Sequence, residues 1–260
     1  MRVLLIGDIV GKPGRKAVKE FLPGIVQEHR VDYVIADADN VAGGFGLTSE
    51  KANELRAYGV HGFTLGNHVW DPKTAMQMVE EESFMARPAN FPEGSPGVGW
   101  FVLDGLAGRL AVLHLQGRIF MDPIDCPFQT ADKLIPTIKE ETNCILVDFH
   151  AEATSEKQAI GFYLDGRVSA VIGTHTHVPT CDDRILRNGT GFQTDCGMTG
   201  AYESIIGMNK DEPIAKMKDH RRVRFEPATD DIRFSGTVIE LDNETGKCLT
   251  IHRVMEHLQD

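Results

Sequence analysis

The sequence predicts an α/β fold in which helices cover a largely parallel or mixed sheet, and three features support this. Short apolar runs recur along the chain, segments of helical composition separate the first of them, and two stretches break the alternation as hairpins. The runs 3–6, 33–35, 63–65, 144–147 and 170–172 each read as strands buried on both faces. Strand–helix–strand alternation implies right-handed crossovers and a sheet with helices packed on it.

Taken in order, the first strand leads into a helix over 15–29, which Pro23 is expected to kink or split. A second helix spans 49–58, with Thr48 or Ser49 as its N-cap. Asp71-Pro72 is expected to open a third, proline being favoured at the first helical position. The segments 100–103 and 109–115 read as a hairpin around an Asp104-Gly105 turn, with Trp100 and Phe101 in the core. Segments 235–241 and 248–254 form another around 243–246, and these antiparallel additions suggest a second sheet packed on the first. With no internal repeat, low-complexity tract or linker, one domain over 1–260 is expected.

Composition excludes several classes of function. The chain of 260 residues carries 27 Lys plus Arg against 38 Asp plus Glu, a net charge of −11. That balance argues against coating duplex nucleic acid and against an anionic membrane surface. A hydrophobic content of 42% is ordinary for a globular core. The apolar start at 3–6 is too short for a signal peptide, and no stretch reaches membrane-spanning length, so a cytoplasmic protein is expected. Five cysteines without CxxC spacing read as reduced thiols rather than as a disulfide framework or a thiolate site.

The chemistry lies at the carboxyl end of each buried run. VLLIG leads to Asp8, YVIADA to Asp39-Asn40, GFTLG to Asn67-His68, CILVDF to His150, and SAVIGT to His175-Thr176-His177. In open α/β sheets, ligands bind beyond the carboxyl ends of the strands. Singly, Gly7-Asp8 also fits an ordinary turn, and His150 beside Phe149 fits a hydrogen-bonded core histidine. Together they make a ligand set of carboxylate, amide oxygen and imidazole without thiolate, which suits Mn, Fe(II) or Zn better than Cu(I) or an iron–sulfur cluster. Asp37 reads as a solvated loop acid, with support of the ligands as the alternative. Asp71 reads as a helix N-terminal charge, with orientation of His68 as the alternative. The glycines of 43–46 fit a flexible turn or a close approach to substrate. The basic residues Lys216, Lys218, His220, Arg221, Arg222 and Arg224 fit a solvated face or a subunit contact, with attraction of nucleotide or RNA ends as the alternative.

The order Gly-Asp, acid-Asn, Gly-Asn-His, His, Gly-x-His-x-His resembles the calcineurin-like metallophosphoesterases, and within them the YmdB-type bacterial phosphodiesterases. LLIGDIVGKPGR, ADNVAGGFGLT, TLGNHVWD, RPANFPEGSPGVG, LQGRIFMDPIDCPF, VDFHAEATSEKQA, VIGTHTHVPT and QTDCGMTG all look like that branch, so the resemblance covers essentially the whole chain. It implies a four-layer α/β-β/α sandwich of two mixed sheets, a dinuclear metal centre and hydrolysis of 2′,3′-cyclic nucleotides to nucleoside monophosphates. By the same resemblance, Asp8, Asp39, Asn40 and His177 surround one metal. Asp39, Asn67, His150 and His175 surround the other, with Asp39 bridging and His68 as proton donor. The branch usually bridges with Glu, and Asp39 is shorter by one methylene, about 1.5 Å. Val10 stands where the wider superfamily has a histidine, a coordination that Asn40 takes over.

The implied mechanism has two divalent ions, Fe or Mn first and Zn also suitable, holding and acidifying a bridging water while offsetting the local negative charge. The substrate expected is a small cyclic nucleotide, and a homo-oligomer is expected. Two alternatives stand beside this reading. One is a phosphomonoesterase or phospholipid-directed esterase on the same centre; the other is a metal-bound regulatory scaffold in RNA decay or signalling.

Overall fold

A computed structural model describes residues 1–258. The chain opens with β1 (Arg2–Ile6), the two-residue β2 (Asp8–Ile9) and α1 (Gly11–His29), then β3 (Tyr33–Asp37), α2 (Ser49–Ala57) and β4 (Gly62–Thr64). After α3 (Ala75–Glu81) and β5 (Met85–Ala86) come a hairpin of β6 (Trp100–Gly105) and β7 (Gly108–Gln116), then α4 (Pro127–Glu141), β8 (Ile145–His150), α5 (Thr154–Tyr163) and β9 (Ala170–Thr174). The short β10 (Arg184–Ile185), β11 (Gly191–Gln193) and β12 (Met198–Ala201) precede α6 (Asp211–Asp219) and the closing hairpin β13 (Ile232–Leu241) and β14 (Cys248–His257).

These strands form two mixed sheets. One has the order β2-β12-β13-β1-β3-β4-β5, with β14 also paired to β13; the other has the order β10-β11-β9-β8-β7-β6. In the first, β1, β3, β4 and β5 run parallel and β13 pairs antiparallel with β1; in the second, β7, β8, β9 and β11 run parallel between antiparallel β6 and β10. The period-2 alternation of side chains shows how the layers stack. Leu4 and Ile6 face α1, where Ala17, Val18, Leu22 and Ile25 pack, whereas Val3 and Leu5 face the other sheet with Tyr33 and Ile35. In the second sheet Leu110, Val112 and Leu146 meet them from the other side. Ala111, Leu113, Ile145 and Val147 turn outward onto α4 and α5 through Ile135, Ile138 and Ile160. Helix, sheet, sheet and helix are thus separated by three apolar interfaces, the four-layer sandwich. A one-residue slip in any of these strands would exchange its two faces, so burial on both sides specifies the register.

Four local expectations are corrected. The second sheet is not built by the two hairpins: β13 and β14 join the first sheet beside β1, and β7 pairs with β8 and β9 follows it. Inter-sheet packing decides this, since Ile239 and Leu241 lie in the same cluster as Val3 and Leu5. The first hairpin turns at Leu106-Ala107, two residues beyond the expected Asp104-Gly105, because Phe101 pairs with Val112 and Leu103 with Leu110 on the inward face. Pro23 does not split α1. It lies on the exposed side along with Lys19, so water can satisfy the carbonyl that its missing N–H leaves free. Helix α3 starts at Ala75, not at Asp71-Pro72. Thr48 caps α2, its Oγ1 accepting from the Lys51 N–H. Among the described residues, no helix is long and apolar enough to cross a membrane.

Candidate metal centre

The parallel strands of both sheets end on one rim of the sandwich. The first sheet brings Asp8 after β1, Asp39 and Asn40 after β3, and Asn67 and His68 after β4; the second brings His150 at the end of β8, and His175 and His177 after β9. Glycines allow this close approach. A Cβ on Gly66 would stand 2.2 Å from His150 Nε2, and one on Gly173 would stand 1.8 Å from the Thr194 carbonyl oxygen. Gly66, which heads Gly-Asn-His, is therefore a steric requirement for bringing the two sheets' loops together, and Gly173, which heads Gly-x-His-x-His, for packing its loop against the Thr194 backbone within the second sheet.

All seven expected ligands meet in one place, where they form two groups, with His68 beside them. In one, His177 Nε2 lies 3.1 Å from Asn40 Oδ1 and 3.5 Å from Asp8 Oδ1. In the other, His150 Nε2 lies 3.2 Å from Asn67 Oδ1, 3.1 Å from His175 Nδ1 and 3.4 Å from Asp39 Oδ2. The imidazoles and the Asn40 amide are fixed from behind, with their other donor atoms turned inward. His177 Nδ1 donates to the Ile206 carbonyl at 2.8 Å, and Asn40 Nδ2 donates to the Gly44 carbonyl at 2.9 Å. His150 Nδ1 donates to Asp37 Oδ2 at 2.9 Å, and His175 Nε2 faces Glu152 at 3.3 Å. Support of one imidazole nitrogen by a carboxylate or carbonyl leaves the other nitrogen's lone pair free, as metal-binding histidines require.

The donor chemistry fits divalent cations. Lone pairs of oxygen and nitrogen converge here at near-contact distances, an arrangement that repels itself without positive charge between the atoms. Asp8 Oδ1 is fully buried and has no hydrogen-bond partner among the described residues, a costly state for a carboxylate oxygen unless a cation satisfies it. Asp8, Asp37 and His150 also offer atoms within 4.8 Å of one another, a spacing that could hold an ion. Asp37, however, is already engaged: Oδ2 accepts from His150 and Oδ1 from the Asp39 N–H. It is a support for the ligands rather than the solvated loop acid expected, and it is fully buried. Burial and the charge of Asp8 push Asp37 up to about 7, against the pull of His150. Burial opposes ionisation of Asp8 too, yet His177 and His150 beside it hold its carboxyl well below the usual range. Burial and the neighbouring His150 push His175 down to about 3, leaving a neutral imidazole with a lone pair to offer.

His68 stands apart from the two groups. Its backbone N–H donates to Asp39 Oδ1 at 3.0 Å, its Nδ1 meets Asp71 Oδ2 at 2.8 Å, and its ring takes the edge of Phe45 with centroids 5.1 Å apart. Asp71 therefore orients His68, and the helix-terminus reading is corrected, since α3 begins four residues later.

Several supporting residues were not singled out from sequence. Lys157 and Asp195, each 1% exposed, pair at 2.5 Å. Lys157 Nζ also donates to the Thr174 carbonyl, while Asp195 accepts from the Thr176 N–H and hydroxyl. The pair thus grips the loop carrying His175 and His177, whose φ of 93° and 66° are left-handed for non-glycine residues. Asp148 accepts from the hydroxyls of Thr64 and Thr174, tying β4 to β9 beneath the centre. Lys157 and Asp195 lie in VDFHAEATSEKQA and QTDCGMTG, motifs whose roles become visible only once folded.

Above the rim opens a cavity of about 550 Å³. It is floored by Asn40, His68, His175 and His177 and walled by apolar side chains from the segment 205–225, with Lys216 and His220 of the basic run also lining it.

Comparison with known proteins identifies the family. Residues 4–254 match the family model described as YmdB-like protein. A 2′,3′-cyclic-nucleotide 2′-phosphodiesterase of Bacillus subtilis is 46% identical over 255 residues, covering 98% of this chain and 97% of that protein. Two crystal structures superpose with TM-scores of 0.93. One, a hypothetical protein from Thermus thermophilus, is 43% identical and covers 99% of both chains. The other, described as a novel phosphatase from Mycoplasma pneumoniae, is 31% identical over 99% of this chain and 93% of its own. Fold, ligand cluster and whole-length similarity coincide, and the chain belongs to the YmdB-like family.

Proposed function

We propose that this protein hydrolyses 2′,3′-cyclic nucleotides to nucleoside monophosphates at a centre of two divalent metal ions. The observation that carries this reading is the pair of donor groups at the rim, with the His68–Asp71 pair beside them in the same cavity. Asp8, Asp39, Asn40 and His177 would hold one ion and Asp39, Asn67, His150 and His175 the other, with Asp39 shared. Iron or manganese suits this oxygen- and imidazole-rich set best, and zinc also fits. The ions would supply an acidified water and positive charge for the anionic diester, which Asp8 and Asp39 alone would repel.

The chain's own part is positioning and proton transfer. Hydrolysis adds water oxygen to phosphorus and breaks one bond from phosphorus to a ribose oxygen. The departing oxygen needs a proton. His68 Nδ1 is held by Asp71, so Nε2 is the ring atom free to deliver it. General-acid help of this kind is worth about 10²–10⁴-fold.

The test is turnover of 2′,3′-cAMP, p-nitrophenyl phosphate and bis-p-nitrophenyl phosphate by metal-loaded protein, with chromatographic identification of the adenosine monophosphate formed. The cyclic nucleotide is expected to have the highest kcat/KM. Preference for p-nitrophenyl phosphate would make the protein a phosphomonoesterase instead.

A further inference from the structure

The cavity has a second half that the phosphodiester chemistry does not use. Opposite the ligand cluster, its wall is Phe45, Ile206, Met208, Pro213, Met217 and Phe225. Ile206 and Met217 are 53% and 73% exposed, a large apolar exposure beside a highly polar floor. Main-chain acceptors that could read a ligand's edge are occupied: the Gly44 carbonyl by Asn40, and the Ile206 carbonyl by His177. Lys216 Nζ sits 4.9 Å from the centre of the Phe225 ring, so one cationic group of the wall is turned onto an aromatic face. At about 550 Å³, the cavity is in the range of small-molecule sites and exceeds what a ribose phosphate alone would fill.

We propose that this wall seats the nucleobase of the substrate, holding it by stacking and apolar contact without reading its hydrogen-bonding edge. The inference rests on the cyclic-nucleotide reading above and specifies how that site treats the base. Discrimination between bases requires placed donors and acceptors, whose loss against the wrong base is costly. Apart from Lys216, turned onto Phe225, and His220, the wall is Phe, Ile, Met and Pro and offers none, but every base has a π-face for Phe45 and Phe225 to contact. The protein therefore accepts purine and pyrimidine alike and disfavours a substrate with no base. Stacking one base on aromatic side chains changes affinity by about 5- to 150-fold, so base removal acts on KM at that scale.

The test compares metal-loaded wild type and Met217→Glu on 2′,3′-cAMP, 2′,3′-cUMP and the base-free methyl riboside 2,3-cyclic phosphate. Met217 is exposed on α6, so the variant keeps the fold, which circular dichroism checks. For wild type, the two nucleotides are expected within about tenfold of each other in kcat/KM, and the base-free substrate about 10- to 100-fold weaker through KM. In Met217→Glu, the added carboxylate repels all three anionic substrates alike, and KM for both nucleotides rises about 5- to 10-fold more than KM for the base-free compound. Equal KM for all three substrates in wild type overturns the base seat while leaving the phosphodiesterase standing. So does a Met217→Glu effect that is the same with and without a base. Failure of the loaded protein to turn over any of the three overturns both readings.

Discussion

In the donor cluster that forms and underlies the floor of the cavity, Asp8, Asp39 and His150 are at most 1% exposed, and His150, His175 and His177 are held by hydrogen bonds or charged partners on their far side. On the wall of the same cavity, Ile206 and Met217 are more than half exposed, in contact with solvent. The floor has to keep like-charged and lone-pair atoms crowded together, so every donor needs a partner that fixes its direction. The wall has only to exclude water from a ligand, so shape and area suffice. Changes to the floor should therefore be severe and specific to metal and turnover, and changes to the wall mild and specific to the ligand.

The largest expected effect is that of Asp39→Asn, which removes charge from the carboxylate proposed to be shared by the two ions. Turnover should fall by about 10³-fold or more, and elemental analysis should show reduced metal content. His68→Ala separates proton transfer from metal binding within the floor. It should lose about 10²–10⁴-fold in kcat while its metal content matches wild type; undiminished kcat would remove His68 from the chemistry.

Lys157→Met reaches the floor from below. It leaves Asp195 buried without its cation, which should cost about 3–5 kcal/mol in denaturant unfolding. Slackening of the loop carrying His175 and His177 should also weaken metal affinity about 10- to 100-fold by competition with a chelator. Wild-type metal affinity in a destabilised Lys157→Met would restrict the pair to a folding role. At the mild end, Ile214→Ser on the exposed side of α6 should change stability by no more than about 0.5 kcal/mol and leave kcat and metal content at wild-type values. A severe loss there would contradict the contrast itself.

The same contrast explains what the sequence made legible. The cluster of donors was readable because each expected ligand stands at the end of a short apolar run, and polar residues at five successive strand ends have no common packing explanation. Their supports were not. Asp37 stands two residues before Asp39, and nothing in that local run says that its carboxyl reaches His150, 113 residues away, on the other sheet. Lys157 and Asp195 belong to a helix and a loop 38 residues apart, and a buried lysine has no sequence signature of its own. The wall is harder still: the segment 205–225 shows neither strand nor clear helical alternation, and its basic residues draw attention away from Ile206, Met217 and Phe225. Register was legible where both faces of a strand are buried and misplaced by two residues at the exposed hairpin tip, Leu106-Ala107, which packing constrains only indirectly.

The floor is proposed to hold two metal ions that turnover requires. Elemental analysis of protein stripped with chelator and then titrated with Mn(II) or Fe(II), paired at each point with 2′,3′-cAMP turnover, tests it most directly. Two equivalents per chain are expected, with activity near zero in the stripped protein and rising to its maximum as the second equivalent binds. Protein that binds no metal under any reconstitution, or that turns over substrate at full rate while stripped, would contradict the account.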